Sequence, residues 1–345
     1  MSERVLTQHE LNRALLARQL LLERSTLPIP RALERICGIQ NQYAPNGYIR
    51  LGSCLEGFER DDLTRALERR TVIQGTLMRE TIHLVSKRDY ALFAAAIRRS
   101  GQEWWRRVNK APDLDFRPLA RRFRAFMRGR TRSRAEVDAF AKEHGIPSIW
   151  GVAHWVDLVR VPPAGTWESR RAHTFALAEE WLGPLDAGEE KGLEHLTRRY
   201  LAAFGPASRN DVAKFTGVPV TRLKPVLERL TLRRFLDEQG KELIDLPRAP
   251  LPHPETPAPA RLLPTFDSML LVHARRTGIL DEPYRERIFN VRAPQSFAPI
   301  LVDGRVVGTW KHENARIRLD PFERIPRAAQ RELREEAERL LALYH

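Results

Sequence analysis

Between Ser208 and Ile244 the chain has little freedom in what it can form. Ser208 to Gly217 reads as a short helix opened by a serine cap and closed by a glycine. Val218-Pro219-Val220 is a turn, Thr221 to Leu230 a second helix, and Phe235 to Ile244 a hairpin with Gln239-Gly240 at its tip. The helix before them, Leu193 to Phe204, is broken by Gly205-Pro206. A small capped helix, a tight turn, an exposed second helix and a two-stranded wing is how a DNA-reading motif is built. Winged helices also serve as protein–protein spacers, so charge has to decide between the two uses.

The same order occurs twice upstream. Thr7 with Glu10 makes a capping box for a helix that runs to Arg24, with Leu11, Leu15, Leu16 and Leu20 on its apolar side. Pro28 and Pro30 open the next helix, Ile29 to Ile39. Tyr48 to Leu51 is a short extended or helical piece, and Asp61 and Asp62 start a further helix ending near Arg70. Thr71 to Ile73 and Thr81 to Val85 are expected as strands around Gly75. The second unit has a helix from Tyr90 to Val108, a linker around Pro112 to Pro118, a helix from Leu119 to Arg130, and a helix capped by Ser133 with Glu136. Gly145-Ile146-Pro147 is a turn, Ser148 to Leu158 a second short helix, and Val159 to Trp167 a strand, turn and strand.

These patterns divide the chain into winged-helix units at 1–90, 91–185 and 186–247. Beyond them the proline-rich stretch Pro247 to Pro264 reads as a stiff linker. Asp303-Gly304 between two Val-rich runs is a hairpin signal. A small β-rich domain closed by a charged helix, Arg327 to Tyr344, completes 248–345. The fold class is α+β and mostly helical.

Charge favours a polyanion as partner. Lys and Arg number 58 against 44 Asp and Glu, a net charge of +14. Such a surplus points to nucleic acid first and an anionic membrane surface second. Arg121, Arg122 and Arg124 belong to the densest basic stretch, Arg98 to Arg134, and are expected to contact phosphate. Trp104 and Trp105 lie within it and read as core. Lys311 and His312, after the Trp310 strand, are further candidates for the DNA backbone. The start, Met1-Ser2-Glu3-Arg4, lacks the apolar run of a signal peptide. No stretch reaches the roughly 18 apolar residues of a membrane span. Cys37 and Cys54, the only two cysteines, are too few for a zinc site and read as reduced thiols. The expectation is a cytoplasmic monomer with no membrane, no cofactor and no metal.

One stretch carries candidate chemistry. Gly38-Ile39-Gln40-Asn41-Gln42-Tyr43-Ala44-Pro45 follows the amphipathic run of the second helix. Gln40 and Gln42 are two apart, so on an extended backbone both side chains point the same way. Paired amides can hold one water or one polar edge, since each offers an acceptor and two donors. By themselves two glutamines at a helix end are explained as well by solvation.

Several stretches together resemble one family. Ile39-Gln40-Asn41-Gln42, Arg79-Glu80-Thr81-Ile82-His83-Leu84-Val85, Tyr200-Leu201-Ala202-Ala203-Phe204-Gly205-Pro206-Ala207, Leu263-Pro264-Thr265-Phe266-Asp267 and Val302 to Trp310 are similar to the AlkZ/YcaQ group of winged-helix DNA glycosylases. The resemblance spans nearly the whole chain, and it rests on the order and spacing of motifs that are each weak alone. It implies three tandem winged helices and a C-terminal β-barrel-like domain, set as a C around double-stranded DNA with alkylated bases. It implies hydrolysis of the N-glycosidic bond of alkylated purines, notably N7-alkylguanine, and unhooking of interstrand crosslinks. In the AlkZ-like branch the catalytic motif is Gln, an apolar residue, Gln, which Gln40 and Gln42 match. The YcaQ-like branch has Asp at the last position. Asn41 departs from both, being polar. The AlkZ-like branch is associated with self-resistance to DNA-alkylating natural products.

The chemistry suits amides. An N7-alkylated guanine is cationic and already a good leaving group, so a placed water and dipoles facing the developing charge matter more than a strong base. The Gln40 and Gln42 oxygens are expected to orient that water while their amino groups bond the lesion or the sugar-phosphate. No lysine nucleophile is needed, which makes the expected enzyme monofunctional. Asn41, Arg79, Thr81 and His83 are expected to line the pocket or to support its residues. The competing reading is a non-catalytic winged-helix DNA-binding protein or transcription regulator. An enzyme on nucleotides or RNA has no support, because neither a GxxxxGK[ST] loop nor a zinc deaminase signature occurs.

Overall fold

The wing of the first unit does not stand alone. In the computed structural model, which describes residues 4–110, 115–146, 150–271, 278–290 and 295–345, Val72–Thr76 pairs antiparallel with Ile82–Ser86, Gly75 facing His83. Each strand then takes a second partner. Ile39–Gln40 joins the outer edge of Ile82–Ser86, and Leu158–Arg160 joins the other side of Val72–Thr76. Thr174–Leu177 and Arg132–Ser133 extend the same sheet to six strands. The strands of 39–86 and of 132–177 therefore share one hydrogen-bonded sheet.

Two expectations change here. The helix that opens at Ile29 stops at Ile36, and Ile39–Gln40 is strand. Cys37 and Gly38 take left-handed φ of 63° and 78°, which reverses the chain onto Ile82–Ser86. The second wing has its return strand at Thr174–Leu177, not at Thr166-Trp167. The intervening loop packs back on the first unit instead. The Gln74 amide donates to the Gly165 carbonyl at 3.2 Å, and the Trp167 N–H donates to the Tyr48 hydroxyl at 3.1 Å. Of the expected turn and short helix there, Pro147 and Ser148 lie outside the described residues, as does Pro112 of the linker; Leu158 is strand.

Ser86 caps the long helix Lys87–Val108 by accepting from the Asp89 N–H. That helix packs on the helix Glu189–Phe204. Their approach requires Gly192, where a Cβ would lie 2.5 Å from the Leu92 carbonyl oxygen. The main core is continuous from Leu33 and Tyr48 through Phe93, Tyr200 and Phe215 to Leu263 and Leu333. A smaller core around Phe123, Val137, Phe140 and Val152 is separate from it.

Between Ser208 and Asp245 the local signals are realised. Ser208 and Asp211 form a capping box, Gly217 closes the helix at φ 74°, and Val220–Arg229 follows. Arg233–Asp237 and Glu242–Asp245 make the hairpin, and Val5–Leu6 adds a parallel strand to its edge. The cations of Val220–Arg229 are largely engaged: Arg222 with Glu189, Arg229 with Glu190 at 2.8 Å, and Lys224 with Glu228 at 3.8 Å. Below the hairpin, Arg18 and Asp245 form a two-point ion pair at 2.8 and 3.0 Å with both side chains 0% exposed. Arg18 also donates to the carbonyls of Leu201 and Pro250, so one guanidinium ties the first helix to the third unit and the proline-rich stretch.

The C-terminal region is β-rich but not a barrel. Arg261–Leu262, Ala298–Val302, Arg305–Glu313 and Arg316–Pro321 form an open four-stranded sheet in that order. Asp303 and Gly304, at φ 48° and 74°, make the expected tight turn. Closure would demand that the two outer strands pair, yet one of them has only two residues. The Arg327–Ala342 helix packs across the sheet instead, burying Ala329, Leu333 and Leu340. Among the described residues, no helix is long and apolar enough to cross a membrane.

Candidate active site

The reversal at Cys37 and Gly38 places the glutamine segment. A Cβ on Gly38 would meet the Leu84 carbonyl at 2.9 Å, so the chain comes this close to the sheet only with glycine there. Gln40 then lies opposite His83 in the ladder. Directly opposed residues share a face, so both side chains project to the same side of the sheet. The Asn41 N–H donates to the Ile82 carbonyl at 2.7 Å, which ends the strand. Pro45 opens the next helix, Pro45–Cys54, where its missing N–H costs nothing. The segment is held at its far end by the Asn41 Oδ1, which accepts from the Gly47 N–H at 2.9 Å.

Each side chain of the motif has a different environment. Gln40 is recessed, 6% exposed, and its Oε1 accepts from Arg79 Nη2 at 2.6 Å. Gln42 is exposed, and its Oε1 accepts from the Ile82 N–H at 3.0 Å. Asn41 is buried, and its Nδ2 has no partner. Asn41 therefore supports the backbone of the motif rather than facing solvent.

Arg79 comes from the turn between the two wing strands. Arg79 and Glu80 both take left-handed φ, 57° and 59°, a conformation that costs non-glycine residues energy and needs surrounding contacts to hold it. Those contacts are present. Arg79 Nη1 donates to the Phe215 carbonyl at 2.8 Å, with its guanidinium 5.0 Å from the Phe215 ring. Burial pushes the Arg79 pKa down to about 10, which leaves it charged at neutral pH.

His83 is 1% exposed and sits 3.0 Å, through Nδ1, from the Thr81 carbonyl. Burial, with the Arg79 charge added, pushes it down to about 3. It is thus neutral; its Nδ1–H donates to Thr81 and its Nε2 is a buried acceptor without a partner. Thr81 itself donates to the Met78 carbonyl at 3.0 Å and braces the turn. Gln40, Arg79, Thr81 and His83 are thus brought together.

The DNA-contact candidates are more dispersed. Arg121 and Arg122 are exposed on the Arg117–Met127 helix, whose buried face is Ala120, Phe123 and Met127. Arg124 is tied to Glu179 at 3.1 Å. Lys311 is paired with Glu313 at 2.7 Å, and His312 stacks on Tyr344 with centroids 3.9 Å apart. Tyr344 in turn meets Trp167 at 5.0 Å. Arg170 lies 5.8 Å from that ring and donates to the Tyr43 hydroxyl at 2.7 Å. A line of rings thus connects the C-terminal sheet to the residue after Gln42.

Two residues near the site stood within quoted motifs but were given no role from the sequence. Glu80 faces His154 at 3.5 Å, and burial pushes its carboxyl up to about 7 and the imidazole down to about 4. Tyr43 presents its ring at 43% exposure beside Gln42. Only packing distinguishes them from other glutamates and tyrosines. Among the described residues, no group of His, Cys, Asp and Glu is arranged to hold a metal ion.

The arrangement offers two carboxamides and a buried cation, with no carboxylate or lysine bonded to the pair among the described residues. The family model described as DNA glycosylase AlkZ-like matches residues 33–343. The Streptomyces sahachiroi DNA glycosylase AlkZ has a similar solved structure, with a TM-score of 0.81 over 98% of this chain and 97% of that one. Their sequences are 17% identical, so this likeness speaks for the fold. No curated protein matches.

Proposed function

The chain belongs to the AlkZ-like DNA glycosylase family, and from that premise we propose that it hydrolyses the N-glycosidic bond of alkylated purines in double-stranded DNA, with Gln40 and Gln42 at the reacting bond. N7-alkylguanine is the substrate class that suits the chemistry of the pair, and bulky adducts and interstrand crosslinks fall within the same class. The observation that carries the reading is that both glutamines are held by their oxygens, one by Arg79 and one by the Ile82 N–H. Such fixed dipoles need no reorganisation when charge moves in the transition state.

The reaction asks little of a base. The C1′–N9 bond breaks, its electron pair passes to the purine ring and cancels the positive charge there, and water adds to C1′ with loss of a proton to solvent. Gln42 is met first by any approaching duplex, since it is exposed and Gln40 is recessed. Neither carboxamide forms a covalent intermediate, so strands stay intact until the abasic site is treated with alkali. The exposed Arg121 and Arg122 supply phosphate contacts. The same reading takes the protein as three winged-helix units, 1–90, 91–185 and 186–247, with 248–345 appended, curved around the duplex as a monomer. Protection against DNA-alkylating natural products is the role it fits.

The test is release of N7-methylguanine from a defined duplex, followed by hot alkali. Strand breaks above background that disappear in the Gln40→Ala, Gln42→Ala double variant are expected. Unchanged release in that variant would remove the glutamines from the mechanism.

A further inference from the structure

We propose that Arg79 is a positioning residue that locks the Gln40 carboxamide with its oxygen inward and its amino group toward the substrate, so that Gln40 meets the nucleotide as a hydrogen-bond donor. The atom it recognises is then an acceptor on the departing base, of the kind a purine offers at N3 or O6. The inference rests on the glutamine reading above and gives Gln40 a role opposite to holding water through its oxygen.

The orientation follows from donor chemistry alone. An amide can be turned by 180° without changing its shape, so its two ends are told apart only by their partners. A guanidinium has no acceptor, so the 2.6 Å contact from Arg79 Nη2 must be to Oε1. The other end, Nε2, has no hydrogen-bond partner among the described residues. Asn41 Nδ2 and His83 Nε2 are sealed from solvent without a partner, whereas Gln40 Nε2 is not sealed. Nε2 is therefore the end of this recessed side chain that reaches solvent.

Arg79 is built to keep this orientation. It is anchored by the Phe215 carbonyl and ring, and its left-handed backbone is what brings it under Gln40. A cation bonded to the amide oxygen draws electron density from the nitrogen, which makes the outward N–H groups stronger donors. As the C1′–N9 bond breaks, density flows into the purine ring, and a fixed donor at N3 or O6 gains strength in step with it.

A glutamate at position 40 separates the two roles. It keeps the length of the side chain and accepts from Arg79 at least as well, but it has no amino group. Single-turnover excision of N7-methylguanine, with duplex affinity measured alongside, is the assay. Gln40→Glu is expected to fall about as far as Gln40→Ala, about 100–1,000-fold, the scale of one lost transition-state donor. Arg79→Ala is expected to slow excision about tenfold or more at nearly unchanged affinity, Arg79→Lys to recover part of it, and Arg79→Ala added to Gln40→Ala to cost nothing further. Should Arg79→Ala fail to fold, Gln40→Glu still decides, since it leaves the Arg79 contacts in place. Gln40→Glu as fast as the unaltered protein, or losses that add in the double variant, would overturn the proposal while leaving the glutamine reading intact. Unchanged excision in Gln40→Ala would overturn both.

Discussion

The basic helix Arg117–Met127 permits a quantitative test, because its arginines are not equivalent. Arg121 and Arg122 are exposed and form no ion pair among the described residues, whereas Arg124 is neutralised by Glu179 at 3.1 Å. Each cation that meets a duplex phosphate releases condensed counterions and adds about 0.9 to the slope of log affinity against log salt. Replacing Arg121 and Arg122 together by Ala should flatten that slope by about 1.8. Between 50 and 200 mM salt the deficit of the variant should then shrink by about 12-fold, since a fourfold change in salt raised to the power 1.8 gives that factor. Arg124→Ala should change the slope by clearly less than one unit, because its charge is already compensated in the free protein. Fluorescence anisotropy with a labelled duplex over that salt range measures all three. An unchanged slope in the double variant, or an Arg124→Ala effect as large as theirs, would refute the reasoning.

Three further outcomes follow from the packing and are read by denaturant or thermal melts. Asp245→Ala leaves the wholly buried Arg18 guanidinium without its carboxylate and should cost about 3–5 kcal/mol of stability. Gly192→Ala forces a Cβ to within 2.5 Å of the Leu92 carbonyl, so the Lys87–Val108 and Glu189–Phe204 helices must separate, at about 1–3 kcal/mol. Glu80, held up to about 7 by burial, keeps its proton in the folded state while the unfolded chain ionises near 4.5. Its contribution is therefore favourable at low pH and lost as pH rises to about 7. Glu80→Gln should match the unaltered protein at pH 4 and exceed it at pH 8 by about 1 kcal/mol, less than the full shift implies because 33% of the side chain faces water. A variant gaining nothing at pH 8 would show that the carboxyl is not held up.

Caps and turns were legible because their energetics close within a few residues. Thr7 with Glu10, Ser133 with Glu136 and Ser208 with Asp211 all form the boxes their spacing predicts. Asp303-Gly304 turns where a tolerance for positive φ allows it. Strand pairing was less legible. Nothing within Ile39–Gln40 distinguishes two residues of strand from the end of a helix until Ile82–Ser86 lies beside them. The second wing was misplaced because Val159 to Trp167 alternates well enough for a hairpin, while its true partner, Thr174–Leu177, lies beyond a loop that the first unit recruits. The hairpin at Asp303-Gly304 was expected, but whether a sheet closes depends on its edges, and Arg327–Ala342 packs across this one without closing it.

The candidate site divides in the same way. The pattern Gln40-Asn41-Gln42 with its family resemblance was enough to single out the pair, since the residue types themselves limit the chemistry to donors and acceptors without a strong base. The sequence also determined the surplus of positive charge. It did not determine which cations are free: Arg124 and Lys311 read the same as Arg121 until Glu179 and Glu313 come within reach. Nor did it decide which end of Gln40 faces out. That was settled by a guanidinium 39 residues further along the chain, carried under the amide by a strained turn. Local sequence fixes what a residue can donate or accept, but the partner it finds depends on which distant segment the fold brings to hydrogen-bond distance.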